Sequence, residues 1–292
     1  MRLAHVRERQ AAAGAPFRLA AAMTDGSWLD LERARRRLLH RDPPLAHNEP
    51  LFRTSITTLD AHLYGGARVE QLRAVLEPFL ERPGLLGDPD EDAELTLAAG
   101  SVALGPPILR PTSLRDFYAF ERHVATMWAR RDQQVPEAWY RLPIFYFGNV
   151  SEVRGPGDPV WAPRGSQELD YELEIAALID TPVRDLTAER AEEAIGGYTI
   201  FNDWSARDLQ REETVVRLGP AKGKDFAASF GPCLVTPDEL ADSRSGKGYE
   251  LVATASVNGQ ELSRGTWADI AFSFGEMLER ASSDARLVPG DL

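Results

Sequence analysis

The sequence predicts a β-rich α+β fold standing behind a small leading unit. Two observations carry this expectation. From Ser101 onward, short apolar stretches of strand type are punctuated by Gly and Pro and alternate with helix-type apolar spacing. Upstream, arginine-rich segments of helical spacing lead into Glu81–Asp92, a Pro-, Gly- and acid-rich stretch that reads as a surface linker. We therefore expect residues 1–100 to form an N-terminal region with its linker, and residues 101–292 to form the main domain.

In chain order, Arg2–Val6 and Phe17–Met23 read as short strands, and 28–39 and 56–63 carry helix-like spacing. Residues 69–80 make a better amphipathic helix. Strands are expected at Val102–Leu104, Leu169–Ile179, 198–202, 233–236 and 251–257, the last followed by an Asn258-Gly259 hairpin turn. Helices are expected at 114–130, 187–195, 205–214 and 266–281.

A net charge of -12 and a pI near 5.0 argue against nucleic acid or an anionic membrane as the main partner. The single cysteine, Cys233, excludes an intrachain disulfide and fits a reducing compartment. The first ten residues are charged with no apolar stretch behind them, and no run approaches the length of a membrane span. We expect a cytoplasmic protein.

The segment Leu169-Asp-Tyr-Glu-Leu-Glu174 carries the strongest chemical signal. Along a strand Asp170, Glu172 and Glu174 share one face. Where such a face is buried, the carboxylates repel and lose hydration, so they must protonate or find a cation, and hard divalent cations are the usual partner. An edge strand with its acids in water is the plainer reading of these residues alone. Asp203 stands where a strand meets a helix, fit either to cap that helix or to bind metal. Arg207 and Gln210 follow on one helical face, a planar fork beside an amide that suits a carboxylate or an enolate. Asp116 and His123, seven residues apart on an expected helix, pair an acid with the natural base near neutral pH. Lys224 lies in a Gly-containing loop and could supply a fixed positive charge to an oxyanion. Capping, a solvated helix face and an ordinary loop lysine are the respective plainer readings.

Taken together, Arg115-Asp-Phe-Tyr-x-Phe-x-x-His123, Leu142-Pro-x-x-Tyr146, Leu169-Asp-Tyr-Glu-Leu-Glu174, Asn202-Asp-Trp-Ser-Ala-Arg-Asp-x-Gln210 and Gly223-Lys-x-Phe226 resemble the fumarylacetoacetate hydrolase family. The motifs stand in the family's order across roughly residues 105–292. The resemblance implies a mixed β-sandwich roll and a homodimer. It implies one Mg²⁺, or Ca²⁺ or Mn²⁺ in its place, held by Asp116, Glu172, Glu174 and Asp203. His123 would activate water and Lys224 would face the developing oxyanion. Tyr118, Tyr146, Arg207 and Gln210 would grip a small diketo or oxo acid. The implied reaction is metal-dependent hydrolysis of a C–C bond in an acylpyruvate-like acid of aromatic catabolism. Decarboxylation or isomerisation of a related oxo-dienoate, or metal and ligand binding without turnover, stand as alternatives. Two departures bear on this. Thr214 stands near where fumarylacetoacetase carries a substrate-contacting Tyr. The sequence also stops at Val288-Pro-Gly-Asp-Leu292, where the family continues into a strand and a G-T-x-x-G loop, so we expect Leu292 not to be a natural end.

Overall fold

The computed structural model describes residues 1–12, 14–87, 94–129 and 132–292. Its centre is a nine-stranded, largely antiparallel sheet. The order runs Leu173–Ile179, Ile195–Asp203, Ala228–Val235, Arg2–Glu8, Arg18–Ala22, Trp28–Asp30 and Thr96–Leu97. Val102–Leu104 also pairs with Arg2–Glu8, and Val153–Arg154 lies parallel to Ala228–Val235. The β-rich α+β class is the one predicted.

The sheet crosses the boundary placed at residue 101, because Arg2 and Leu3 pair with Val235 and Leu234. One apolar cluster follows the same course. It joins Leu3, Leu19 and Leu29 to helix residues Ala34, Leu38, Val75 and Phe79, and includes Leu178 from the strand that carries Glu174 and Leu234 from Ala228–Val235. A second cluster packs Trp139, Tyr198, Trp267 and Met277 around the Phe274–Ser282 helix. The first half of the expected linker is a 3₁₀ turn, Pro83–Leu86, that buries Leu85 against the core, while residues 88–92 fall outside the described residues.

Three local expectations are corrected. Residues 114–130 are not one helix: Leu114–Phe117 is a strand paired with Phe145–Gly148, and the helix begins at Glu121. Tertiary pairing overrides local propensity here, since Leu114 buries itself against Gly148, where a Cβ would lie 2.6 Å from its side chain. Asp116 and His123 therefore do not share a helix face. Residues 169–179 form two strands, Leu169–Asp170 against Ser205–Ala206 and Leu173–Ile179 against Ile195–Asp203. The break at Tyr171 and Glu172 lets the chain pass from one partner to the other. Finally, Ala206 rather than Asp203 occupies the N-cap of the Arg207–Val215 helix. Elsewhere the leading strand pair, Val102–Leu104 and the Asn258-Gly259 turn, with both residues at positive φ, follow the pattern read from the sequence.

The end of the sequence is well bonded. Leu292 N–H donates to Ser113 at 3.0 Å and Arg115 N–H donates to Leu292 at 2.9 Å, so the two segments run side by side. Asp291 is buried and accepts from Thr112 Oγ1, Ser113 Oγ and Val288 N–H.

Candidate metal centre and active site

Register sets the first three acids. Leu173 lies opposite Asn202 and Glu174 opposite Phe201, so continuing the ladder puts Glu172 beside Asp203. The Asp203 N–H donates to the Glu172 carbonyl at 3.2 Å, and the Asn202 side chain accepts the Glu172 N–H at 3.0 Å. The Leu114–Phe117 strand brings the fourth acid, Asp116, directly opposite Tyr146. One carboxylate oxygen from each of Asp116, Glu172, Glu174 and Asp203 lies within 4.8 Å of the others.

Three side chains close around these acids. The Lys224 ammonium, 5% exposed, donates to both Glu172 and Asp203. Arg207 donates from Nη1 to Glu172 at 2.7 Å and from Nε to the half-exposed Asp170 at 2.8 Å, and its Nη1 also reaches Gln210 Oε1 at 3.2 Å. The Tyr146 hydroxyl lies on Asp116 at 3.0 Å and on Asp203. One hydroxyl carries one proton, so only one of those two acids can receive it.

Burial, the Asp203 charge and the Glu172 charge push the Asp116 carboxyl well above its ordinary range, with Lys224 only partly offsetting them. Glu174 is pushed up in the same direction by burial and by Asp116, Glu172 and Asp203. Glu172 goes the other way: burial disfavours its charge, but Lys224 and Arg207 outweigh burial and hold it below the usual value. Burial likewise disfavours the charged Lys224, and Asp203, Glu172 and Asp116 overcome that and raise its pKa. The four clustered acids carry up to four negative charges, and Lys224 and Arg207 offset two at most. A divalent cation restores neutrality, and hard oxygen donors are what Mg²⁺, Mn²⁺ and Ca²⁺ prefer. These residues fit such an ion.

The other residues singled out from sequence lie close along the chain. Tyr118 follows Asp116 by two residues, its carbonyl accepting the Trp139 indole N–H at 2.7 Å. The exposed His123, on the Glu121–Ala129 helix, sits edge-on to the Tyr118 ring with centroids 5.6 Å apart. The Thr214 hydroxyl donates to the Arg211 carbonyl of its own helix, at 3.1 Å. Sequence reasoning missed Glu213, whose carboxylate accepts from the N–H groups of Ala221 (2.9 Å), Lys222 (2.6 Å) and Gly223 (3.1 Å). Its spacing was a usable signal, since Arg207, Gln210 and Glu213 recur every three residues along one side of the helix. The part Asp170 plays in holding Arg207 had no such signal, because the contact spans 37 residues.

The family model described as the C-terminal part of fumarylacetoacetate (FAA) hydrolase matches residues 112–292. The 2,4-didehydro-3-deoxy-L-rhamnonate hydrolase of Sphingomonas sp. (strain SKA58) is 30% identical over 150 residues, covering 51% of this chain and 50% of that protein. Across eight curated relatives that it matches, the chain spans from 28% to 74% of their length. Two solved structures share the fold across the whole of this chain and 86% of theirs. Maleylpyruvate hydrolase from Sphingobium sp. SYK-6, in complex with manganese(II) and pyruvate, superposes with a TM-score of 0.64 at 20% identity. The 5-carboxymethyl-2-hydroxymuconate delta-isomerase from Mycobacterium smegmatis superposes with 0.60 at 23% identity. The chain belongs to the fumarylacetoacetate hydrolase family.

Proposed function

We propose that this protein is a metal-dependent hydrolase that cleaves a C–C bond in a small acylpyruvate-like or diketo acid of aromatic catabolism. The observation that carries the proposal is the largely buried four-carboxylate cluster, over-charged without a cation and bordered by Lys224 and Arg207. Asp116, Glu172, Glu174 and Asp203 would hold Mg²⁺, Mn²⁺ or Ca²⁺, which when bound supplies Lewis-acid polarisation of a substrate carbonyl. Lys224 presents its ammonium where negative charge develops on oxygen as the C–C bond breaks. Arg207 and Gln210 orient the substrate carboxylate, with Tyr118 and Tyr146 supplying hydroxyls to its oxo groups. His123 takes the proton from the attacking water.

A second reading, isomerisation or decarboxylation of an oxo-dienoate, is supported by the isomerase among the similar structures and needs the same stabilised enolate. A scaffold that binds metal and ligand without turnover is the third reading. In line with the family resemblance and the lone cysteine, we assign the protein to the cytoplasm as a homodimer. Among the described residues no helix is long and apolar enough to cross a membrane.

The test is a screen of Mn²⁺-loaded protein against acylpyruvates, oxaloacetate and unsaturated oxo acids, reading pyruvate release, CO₂ release and double-bond migration separately. Pyruvate release that a chelator abolishes is the expected result. His123→Ala should keep Mn²⁺ affinity and lose on the order of 10²–10⁴ in turnover. Double-bond migration alone would favour isomerisation, and full activity in chelator would overturn the proposal.

A further inference from the structure

We propose that Glu213 is a positioning residue that fixes the Lys224 ammonium against Glu172 and Asp203, a role that rests on the metal-site reading above. Lys224 is delivered by a tight turn, its N–H donating to the Ala221 carbonyl at 3.0 Å. The three residues before it all point their N–H groups at one carboxylate, that of Glu213. Such an arrangement is an anion nest in which the protein supplies its own anion. Burial disfavours the charged Glu213, yet the three N–H donors outweigh it and hold the carboxyl below its ordinary range.

The turn is clamped from two further sides. The Gly223 carbonyl accepts the Ala206 N–H at 2.8 Å, beside the start of the helix. A Cβ on Gly223 would meet Gln210 N and Cα at 2.9 Å, so the turn lies flat on the helix that carries Arg207 and Gln210. Arg207, Gln210 and Glu213 form one stripe on that helix: Arg207 donates to Glu172, Gln210 accepts from Arg207, and Glu213 holds the turn. The helix therefore sets the Lys224 ammonium and the Arg207 guanidinium in one rigid relation. Removing the Glu213 charge frees three N–H groups and lets Lys224 leave Glu172 and Asp203. A glutamine is no substitute, because its single oxygen cannot serve both donor sets and its amide N–H₂ faces donors.

The experiment compares wild type, Glu213→Gln, Lys224→Met and the double variant in the full chain, using Mn²⁺ as probe near pH 8. Amide exchange at residues 221–223 should quicken at least tenfold in Glu213→Gln. Lys224→Met should tighten Mn²⁺ binding by about tenfold or more, since a positive charge leaves the acids. Glu213→Gln should shift Mn²⁺ affinity in the same direction, and should add nothing in the Lys224→Met background. If Glu213→Gln loosens the turn yet leaves Mn²⁺ affinity at the wild-type value, Glu213 serves the loop alone and the proposal falls. If Lys224→Met itself leaves Mn²⁺ affinity unchanged, the metal-site reading falls first and this inference with it.

Discussion

Asp116 and Glu174 decide how the centre responds to pH. Both hold protons above the ordinary carboxylate range because burial and their acidic neighbours disfavour a second and third charge. A cation must displace those protons, so Mn²⁺ affinity should rise with pH through the raised values and then level. Folding without metal takes the opposite sign. A raised carboxyl keeps its proton in the folded state where the unfolded chain has released it, so its contribution is present at low pH and is lost as pH climbs through the raised value. Urea midpoints in chelator, from about pH 4 upward, should therefore fall with pH relative to Glu174→Gln, and saturating Mn²⁺ should remove that difference. A wild-type curve parallel to that of Glu174→Gln would contradict the shift. At this scale the fold brings together the four acids, Lys224 and Arg207, with Gln210 against Arg207, all of them residues that the sequence singles out. The sequence could not foresee that the Tyr146 hydroxyl rests on the carboxylates, because that contact needs two strands 57 residues apart.

Strands were legible where alternation and glycine punctuation agreed, as at Val102–Leu104 and the Val252–Val257 hairpin. They were illegible where a helical pattern was overruled by a distant partner, as at Leu114–Phe117. The buried His5 shows what such long-range pinning involves. Its Nε2 accepts the Leu59 N–H at 3.0 Å and its Nδ1 contacts the Pro106 carbonyl at 2.8 Å, so Nδ1 carries the proton. The ring ties the Arg2–Glu8 strand to the Leu59–Tyr64 helix and to the loop before Ile108. Burial lowers its pKa, with the Pro106 bond and Asp60, 4.0 Å away, pulling the other way. The neutral ring stabilises the fold fully above about pH 6.5, and that contribution is lost as pH falls through this value toward the lowered one. His5→Leu should cost about 1–3 kcal/mol for each backbone group left unpaired and should flatten the pH dependence of stability between about pH 5 and 7. Chemical denaturation across that range checks it, and an unchanged slope would remove His5 from the explanation.

For the whole molecule, the division at residue 101 is a statement about sequence pattern, and its physical meaning is open to test. Strands Arg2–Glu8 and Ala228–Val235 are hydrogen-bonded neighbours, and Leu178 and Leu234 pack among the helices of the leading region. Residues 101–292 expressed alone would expose the edge of Ala228–Val235 and the apolar side of the first core cluster. That fragment should lose cooperative unfolding and associate, as read by calorimetry and light scattering. A cooperative transition close to that of the full chain would make the main domain independent of the leading one. Above this question stands the proposed cation site, in which four acids from three separate stretches of chain would hold one divalent cation. Calorimetric titration of the full chain with Mn²⁺ tests it most directly. One ion per chain should bind in the wild type, with affinity lost by at least about tenfold in each of Asp116→Asn, Glu172→Gln, Glu174→Gln and Asp203→Asn. Wild-type affinity retained in Glu174→Gln and Asp203→Asn would contradict it.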